Sequence, residues 1–354
     1  MKKIFAMLLI LTVAVAALAG CAPTQVHVCP EETGAATEAQ PAATEAPVEG
    51  ALATGLAIIG NVGDSVSASA EEAGAAKYDV TLVAVTVDGE GVIRSCAIDS
   101  VKSEVQFGTD GVITTDLTAD PATKNELGDN YGMKAYAGSK YEWYEQAQAL
   151  ADYAVGKTVA QLKEGAVNES GKAKDADLAS VATIYLGGYV DGIVKAVENA
   201  QNLGAEAGDK LVLTTLNSLG SSANAEADKE GNAQLDVNVV ALTMRDDVIT
   251  SCILDAMQAK VAFDAAGKVT SDVTAAPMTK NELGENYGMK MYAGSAYEWN
   301  EQAAFFANYI TGKTAADVAG IAVGEKAQPT DTDLASTVTI SVGGFMGLIA
   351  KACQ

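Results

Sequence analysis

The chain has 354 residues, room for two domains of ordinary size, and carries a formal net charge of −23 with 19% charged and 49% apolar residues. Nucleic acid and anionic membrane surfaces repel so acidic a protein, so neither surface is an expected partner. The single histidine, His27, excludes a histidine-based triad, and no Cys/His spacing resembles a zinc cluster.

The N-terminus reads as a processing signal. Lys2 and Lys3 precede an apolar run from Ile4 to Leu18, short for a membrane span, which ends in Leu18-Ala19-Gly20-Cys21. Small residues before a cysteine at that point resemble a bacterial lipobox. The resemblance implies cleavage after residue 20 and lipidation of Cys21, hence an extracytoplasmic protein anchored to the bacterial cell membrane. Residues 21–51 are dominated by Ala, Thr, Glu and Pro, too poor in apolar surface to offset their ordering entropy, and are expected to form a disordered linker.

Two repeats follow, 52–203 and 204–354, in constant register: Cys96 with Cys252, Trp143 with Trp299, Gly156 with Gly312, Asp177 with Asp333. Each begins with an alternating valine-rich hairpin, "YDVTLVAVTVDGEGVIRSCAIDS" and "LDVNVVALTMRDDVITSCILDA", then a shorter hairpin or meander. Ser139 with Glu142, and Ser295 with Glu298, fit the capping-box spacing before helices whose apolar residues recur at Trp143, Ala147, Leu150 and Ala154, and at Trp299, Ala303, Phe306 and Ile310. Gly156 and Gly312 supply stops. Strand-like "SVATIYL" and "STVTISV" lead through a Gly-Gly pair into a last helix, striped in the first repeat by Val190, Ile193, Val194 and Val197. The fold class is α+β: two tandem homologous domains, each a mainly antiparallel sheet packed by helices. Cys96 and Cys252 read as buried unpaired thiols, and no disulfide framework is indicated.

The same dodecamer stands in both repeats, "TKNELGDNYGMK" at 123–134 and "TKNELGENYGMK" at 279–290. Thr123 to Glu126 is a capping box that would start one helical turn, ended by Gly128. One reading is structural: the glycines mark an unusual backbone. The other is a ligand site. Lys124, Lys134 and their partners Lys280 and Lys290, together with glycine amides, suit a phosphate, while Tyr131, Trp143, Tyr287 and Trp299 offer faces to a planar ring.

The end of each repeat, "DADLASVATIYLGGYVDGIVKAVENA" and "DTDLASTVTISVGGFMGLIAKAC", resembles the C-terminal part of the FMN-binding domain family of extracytoplasmic flavoproteins. That family carries Asp-x-x-Ser-Gly-Ala-Thr, whose threonine hydroxyl is joined to the FMN phosphate by a flavin transferase. Asp177, Ser180 and Thr183 fall on the pattern in the first repeat; Asp333, Ser336 and Thr339 do in the second. Val181 and Thr337 replace the glycine and Val338 the alanine, which argues for flavin held without a covalent bond. The resemblance implies FMN as cofactor and redox proteins as partners: an electron carrier or binding protein rather than a turnover enzyme. A non-redox ligand-binding or structural surface lipoprotein built from a degenerate duplicated domain is the alternative.

Overall fold

The computed structural model describes residues 50–353. The expected signal segment, the expected lipidation site Cys21 and all but the last residues of the expected linker lie outside the described residues.

Among the described residues seven strands form two antiparallel sheets. β1 (Ala51–Asn61), β2 (Gly74–Val87), β3 (Ile93–Phe107) and β4 (Gln201–Glu206) make the first, in the order β3-β2-β1-β4; β5 (Lys210–Ser218), β6 (Gly231–Arg245) and β7 (Val248–Phe263) make the second. Alternation in the long strands serves two cores at once. On β2, Tyr78, Val80 and Leu82 point into a core shared by both sheets, whereas Val83, Val85 and Val87 point outward to the helices of the first repeat. On β6, Leu235, Val237 and Val239 enter the shared core, whereas Val240, Leu242 and Met244 meet the helices of the second. The layers therefore run helices, sheet, sheet, helices, with β1 and β4 against β7 and β3 against β5.

The helices of the first repeat are α1 (Lys124–Leu127), α2 (Met133–Ala137), α3 (Trp143–Ala154), α4 (Val159–Gly165), α5 (Ala176–Val181) and α6 (Gly187–Glu198). Those of the second are α7 (Lys280–Leu283), α8 (Met289–Ala293), α9 (Trp299–Ile310), α10 (Ala315–Ala319), α11 (Thr332–Ala335) and α12 (Gly343–Ala352). The α3 stripe is buried as its spacing requires, through Trp143, Ala147, Leu150 and Ala154. None of the helices described is long and apolar enough to cross a membrane. Cys96, Cys252 and Cys353 are free; Cys252 is buried and Cys96 half-buried.

Local expectations are corrected at several points. Each repeat has a strand ahead of the hairpin, β1 or β5, and β1 starts at Ala51, inside the expected linker. The expected second hairpin is a continuation of β3 and β7, closed only by isolated bridges from Phe107 to Ile113 and from Phe263 to Val269. The capping boxes lie three residues later than Ser139 and Ser295, with Glu142 and Glu298 at the N-cap positions and their N–H groups donating to Glu145 and Glu301 at 2.7 Å. "SVATIYL" and "STVTISV" are not strands: α5 ends inside the first, α11 ends just before the second, and an irregular loop follows each helix.

The repeats are related by an approximate two-fold axis that can be read from their contacts. Phe107 and Phe263 stack on each other, centroids 4.0 Å apart and planes 3° from parallel. Lys195 bridges to Glu282, and Lys351 bridges to Glu126. Ala68 N–H donates to the Gly267 carbonyl at 2.8 Å, and Ala225 N–H to that of Gly111 at 2.9 Å.

Candidate functional site

Nearly every repeated feature of the dodecamer has a structural role in both copies. Thr123 caps α1 through its hydroxyl, which accepts from Glu126 N–H at 3.1 Å, and the Glu126 carboxylate accepts in return from Thr123 N–H at 2.7 Å. Asn125 ties this turn to β3, its amide donating to the Ile98 carbonyl at 2.9 Å and its backbone N–H to Asp99 at 3.2 Å. Gly128 has φ 51° and ψ −124°, a region that only glycine enters cheaply, and Gly132 follows at φ 82°. The buried Glu142 carboxylate then receives the N–H groups of Met133 and Lys134 at 2.7 and 3.0 Å. Thr279, Asn281, Gly284, Gly288 and Glu298 repeat the arrangement.

This scaffold presents one side chain inward. Lys124, 6% exposed, holds its ammonium 5.0 Å from the Trp143 ring centroid and 5.5 Å from that of Tyr131. Tyr189 Oη accepts from Lys124 Nζ at 3.4 Å and from Trp143 Nε1 at 3.2 Å. Burial pushes the Tyr189 phenol above the usual tyrosine range. These groups line a cleft of about 740 Å³, walled also by Tyr136, Ile184, Tyr185 and Gly188. That size and aromatic lining are those of small-ligand pockets. In the second repeat Lys280 stands 4.9 Å from both Tyr287 and Trp299, but Phe345 takes the place of Tyr189, and Ser341 that of Tyr185.

Of the other residues singled out, Thr183 and Thr339 are exposed, on the loop that enters the last helix of each repeat. A glutamine that no sequence motif marks fixes each of them. Gln146, fully buried, accepts at Oε1 from Thr183 N–H (2.7 Å), the Thr183 hydroxyl (3.2 Å) and Ile184 N–H (3.1 Å). Its amide nitrogen donates to the Tyr141 carbonyl at 3.0 Å. Gln302 does the same for Thr339 and Ile340. The signal available in sequence was a glutamine at the same helical position in both copies, on the face that also carries Trp143 and Leu150.

Lys172 Nζ donates to the Thr183 carbonyl at 2.7 Å; its counterpart is Gln328. Lys134 and Lys290 do not join the cleft cluster but pair with Glu145 (2.6 Å) and Glu301 (2.7 Å) at the surface. Asp177 and Asp333 lie in the first turns of α5 and α11, and the Ser180 and Ser336 hydroxyls donate back to their carbonyls; all four are exposed. The structure thus brings together Lys124, Tyr131 and Trp143, and likewise Lys280, Tyr287 and Trp299.

No family model matches the chain, and no solved structure matches it. A chlorophenol reductase from Desulfitobacterium hafniense is 52% identical over 42 residues, which is 12% of this chain and 13% of that protein. The likeness is a shared segment, about an eighth of either molecule.

Among the described residues there is no cluster of three or more His, Cys, Asp or Glu side chains placed to hold a metal ion. FMN needs a flat apolar slot for its ring, a cation near it and donors for a phosphate. In the first repeat Tyr131, Trp143 and Tyr185 line the cleft beside Lys124, and the exposed Thr183 with neighbouring Lys172 lies next in sequence to the cleft residues Ile184 and Tyr185. The residues present fit the group in the first repeat. The second lacks the counterparts of Tyr185, Tyr189 and Lys172.

Proposed function

We propose that this chain is a membrane-anchored extracytoplasmic flavin-binding protein that carries electrons in the cell envelope, with its flavin in the cleft of the first repeat. The observation that carries this reading is the buried Lys124 ammonium set between Tyr131, Trp143 and Tyr189 on the wall of an aromatic cleft. The segment shared with a chlorophenol reductase supports a redox setting, and the lipobox-like start supports anchoring through Cys21.

A bound flavin would supply the electron-accepting and electron-donating chemistry; the chain supplies binding and electrostatics. Tyr131, Trp143 and Tyr185 give the ring apolar contact and exclude water. Lys124, enclosed by aromatic walls, favours negative charge in the cleft more strongly than a solvated lysine could. Gln146 fixes the loop that carries the exposed Thr183, which stands at the family position for a phosphate ester or a phosphate hydrogen bond. Val181, where the family has glycine, favours the second.

The test is the visible absorbance of the full chain purified from its native host, before and after denaturation, with intact mass on the same sample. Yellow colour lost on denaturation is the expected result, and Lys124→Met should weaken FMN binding about tenfold or more. Colour that survives denaturation would put the flavin on a covalent bond, with Thr183→Ala the variant that removes it. A colourless chain that also ignores added FMN overturns the reading and leaves a non-redox ligand or a structural role.

A further inference from the structure

A second pocket lies where β4 meets the second repeat and shares no lining residue with the cleft of the first. It encloses about 490 Å³ between β4, β7 and α9. No Asp, Glu, Lys or Arg side chain lines it, in a chain with a net charge of −23. Its polar groups are neutral: the carboxamides of Gln201, Asn202, Asn281, Asn300 and Asn308, and the Thr311 hydroxyl, over a floor that includes Ile253 and Leu254.

Two of those groups lack partners. The Oδ1 atoms of Asn281 and Asn300 are buried and accept no hydrogen bond from the described residues. The Asn281 amide nitrogen is committed to the Leu254 carbonyl at 3.0 Å, which fixes its free end as an acceptor. A buried unpaired acceptor costs on the order of 1–3 kcal/mol, so a small shift of either side chain that brings its Oδ1 to a hydroxyl in the pocket is favoured.

The first repeat provides an internal comparison. There Tyr144, Gln148 and Asp152 stand where the second repeat has Asn300, Ala304 and Asn308. They satisfy one another or their neighbours: Gln148 donates to Asp152 at 2.7 Å, and Tyr144 donates to Asp129 at 3.3 Å. The second repeat has shortened all these side chains but Asp152, made that one neutral, and gained a wall from β4, which has no counterpart in the second sheet. The first repeat keeps a hollow of about 670 Å³ at the matching place, but Asp129, Glu145 and Asp152 line it; what sets the second repeat's pocket apart is its neutral lining.

We infer that this pocket binds a neutral hydroxyl-rich ligand of sugar size. Carboxamides pair with hydroxyls as donor and acceptor together, whereas an ion would lose hydration here without a countercharge. The volume lies within the range of small-ligand sites.

The test uses the full chain in detergent, with glucose and N-acetylglucosamine as probes and glucose 6-phosphate and acetate as charged controls. Melting temperature and saturation-transfer NMR are the readouts. At millimolar concentration at least one neutral sugar should raise the melting temperature and receive saturation, and the charged controls should do neither. The variant Asn300→Tyr with Ala304→Gln and Asn308→Asp refills the pocket with the bulkier and charged side chains of the sister repeat. It should melt like the parent without ligand and bind the sugar at least about tenfold more weakly. Absence of binding by both sugars overturns the inference, as does binding undiminished in the refilled variant or glucose 6-phosphate binding as tightly as glucose. Added FMN serves as a separate arm, so failure here and failure of the flavin reading are told apart.

Discussion

Buried polar residues carry much of the local order. Gln146 and Gln302 each accept from backbone N–H groups that no strand partner satisfies, so Gln146→Leu should cost about 2–3 kcal/mol in urea denaturation, while Thr183→Ala, at an exposed residue, should cost under about 1 kcal/mol. Asp255 is the titration to watch. Burial, aided by Glu282, pushes its carboxyl up to about 6, against hydrogen bonds from Ala256 and Asn281 N–H that favour the ionised form. The folded chain therefore binds this proton more tightly than the unfolded chain. Its contribution to stability is present at low pH and is lost as pH rises from about 4 through 6, on the order of 3 kcal/mol in all. Asp255→Asn should flatten that limb. Equal slopes for parent and variant, in denaturation midpoints measured at about pH 4.5 and 7, would contradict it.

At the scale of elements, the short helices and the loops between them depend on backbone positions that the sequence marks only in part. Gly128 and Gly284 occupy a region that other residues enter only under strain, and the turn that ends α1 or α7 rests on them. Ala327 sits at φ 56°, where the first repeat has Gly171 at φ 71°; Ala327→Gly should raise stability by about 0.5–1 kcal/mol, read as a shift in melting temperature. What was legible in the sequence were the periodic and punctuated elements: the β2–β3 and β6–β7 hairpins, the α3 and α9 stripes, and the Thr123 and Thr279 caps. β1 escaped because "ALATGLAIIG" is a continuous apolar run without clear alternation, being buried on both faces. "SVATIYL" read as a strand because β-branched residues cluster there, yet its backbone donors go to a glutamine 37 positions back, a long-range partner that no local pattern announces. Of the proposed ligand residues, Lys124, Tyr131 and Trp143 meet because one capped turn places them. Lys134, further along the same loop, is turned outward by its pairing with Glu145, a partner on the next helix that the dodecamer does not contain.

For the molecule as a whole, the core common to both sheets makes the two repeats one cooperative body. Phe263→Ala removes a stacked ring from the centre of that core and should cost about 3–5 kcal/mol, with both repeats lost in a single transition followed by tryptophan fluorescence from Trp143 and Trp299. Two separated transitions would show that the repeats are independent. The cross-repeat lysine–glutamate pairs are half-exposed and add little, about 0–1 kcal/mol each. Their reciprocity says more than their strength. A contact in which residue i of one copy meets j of the other, and j meets i, is the signature of a self-complementary surface, the kind that closes a homodimer. Either repeat alone carries both halves of it. A fragment holding only the first repeat should therefore associate with a second copy of itself, through the face that carries Phe107, and sedimentation should find it as a pair. In the full chain the tether does that work by effective concentration, holding at all dilutions a partnership that two separate chains would have to find.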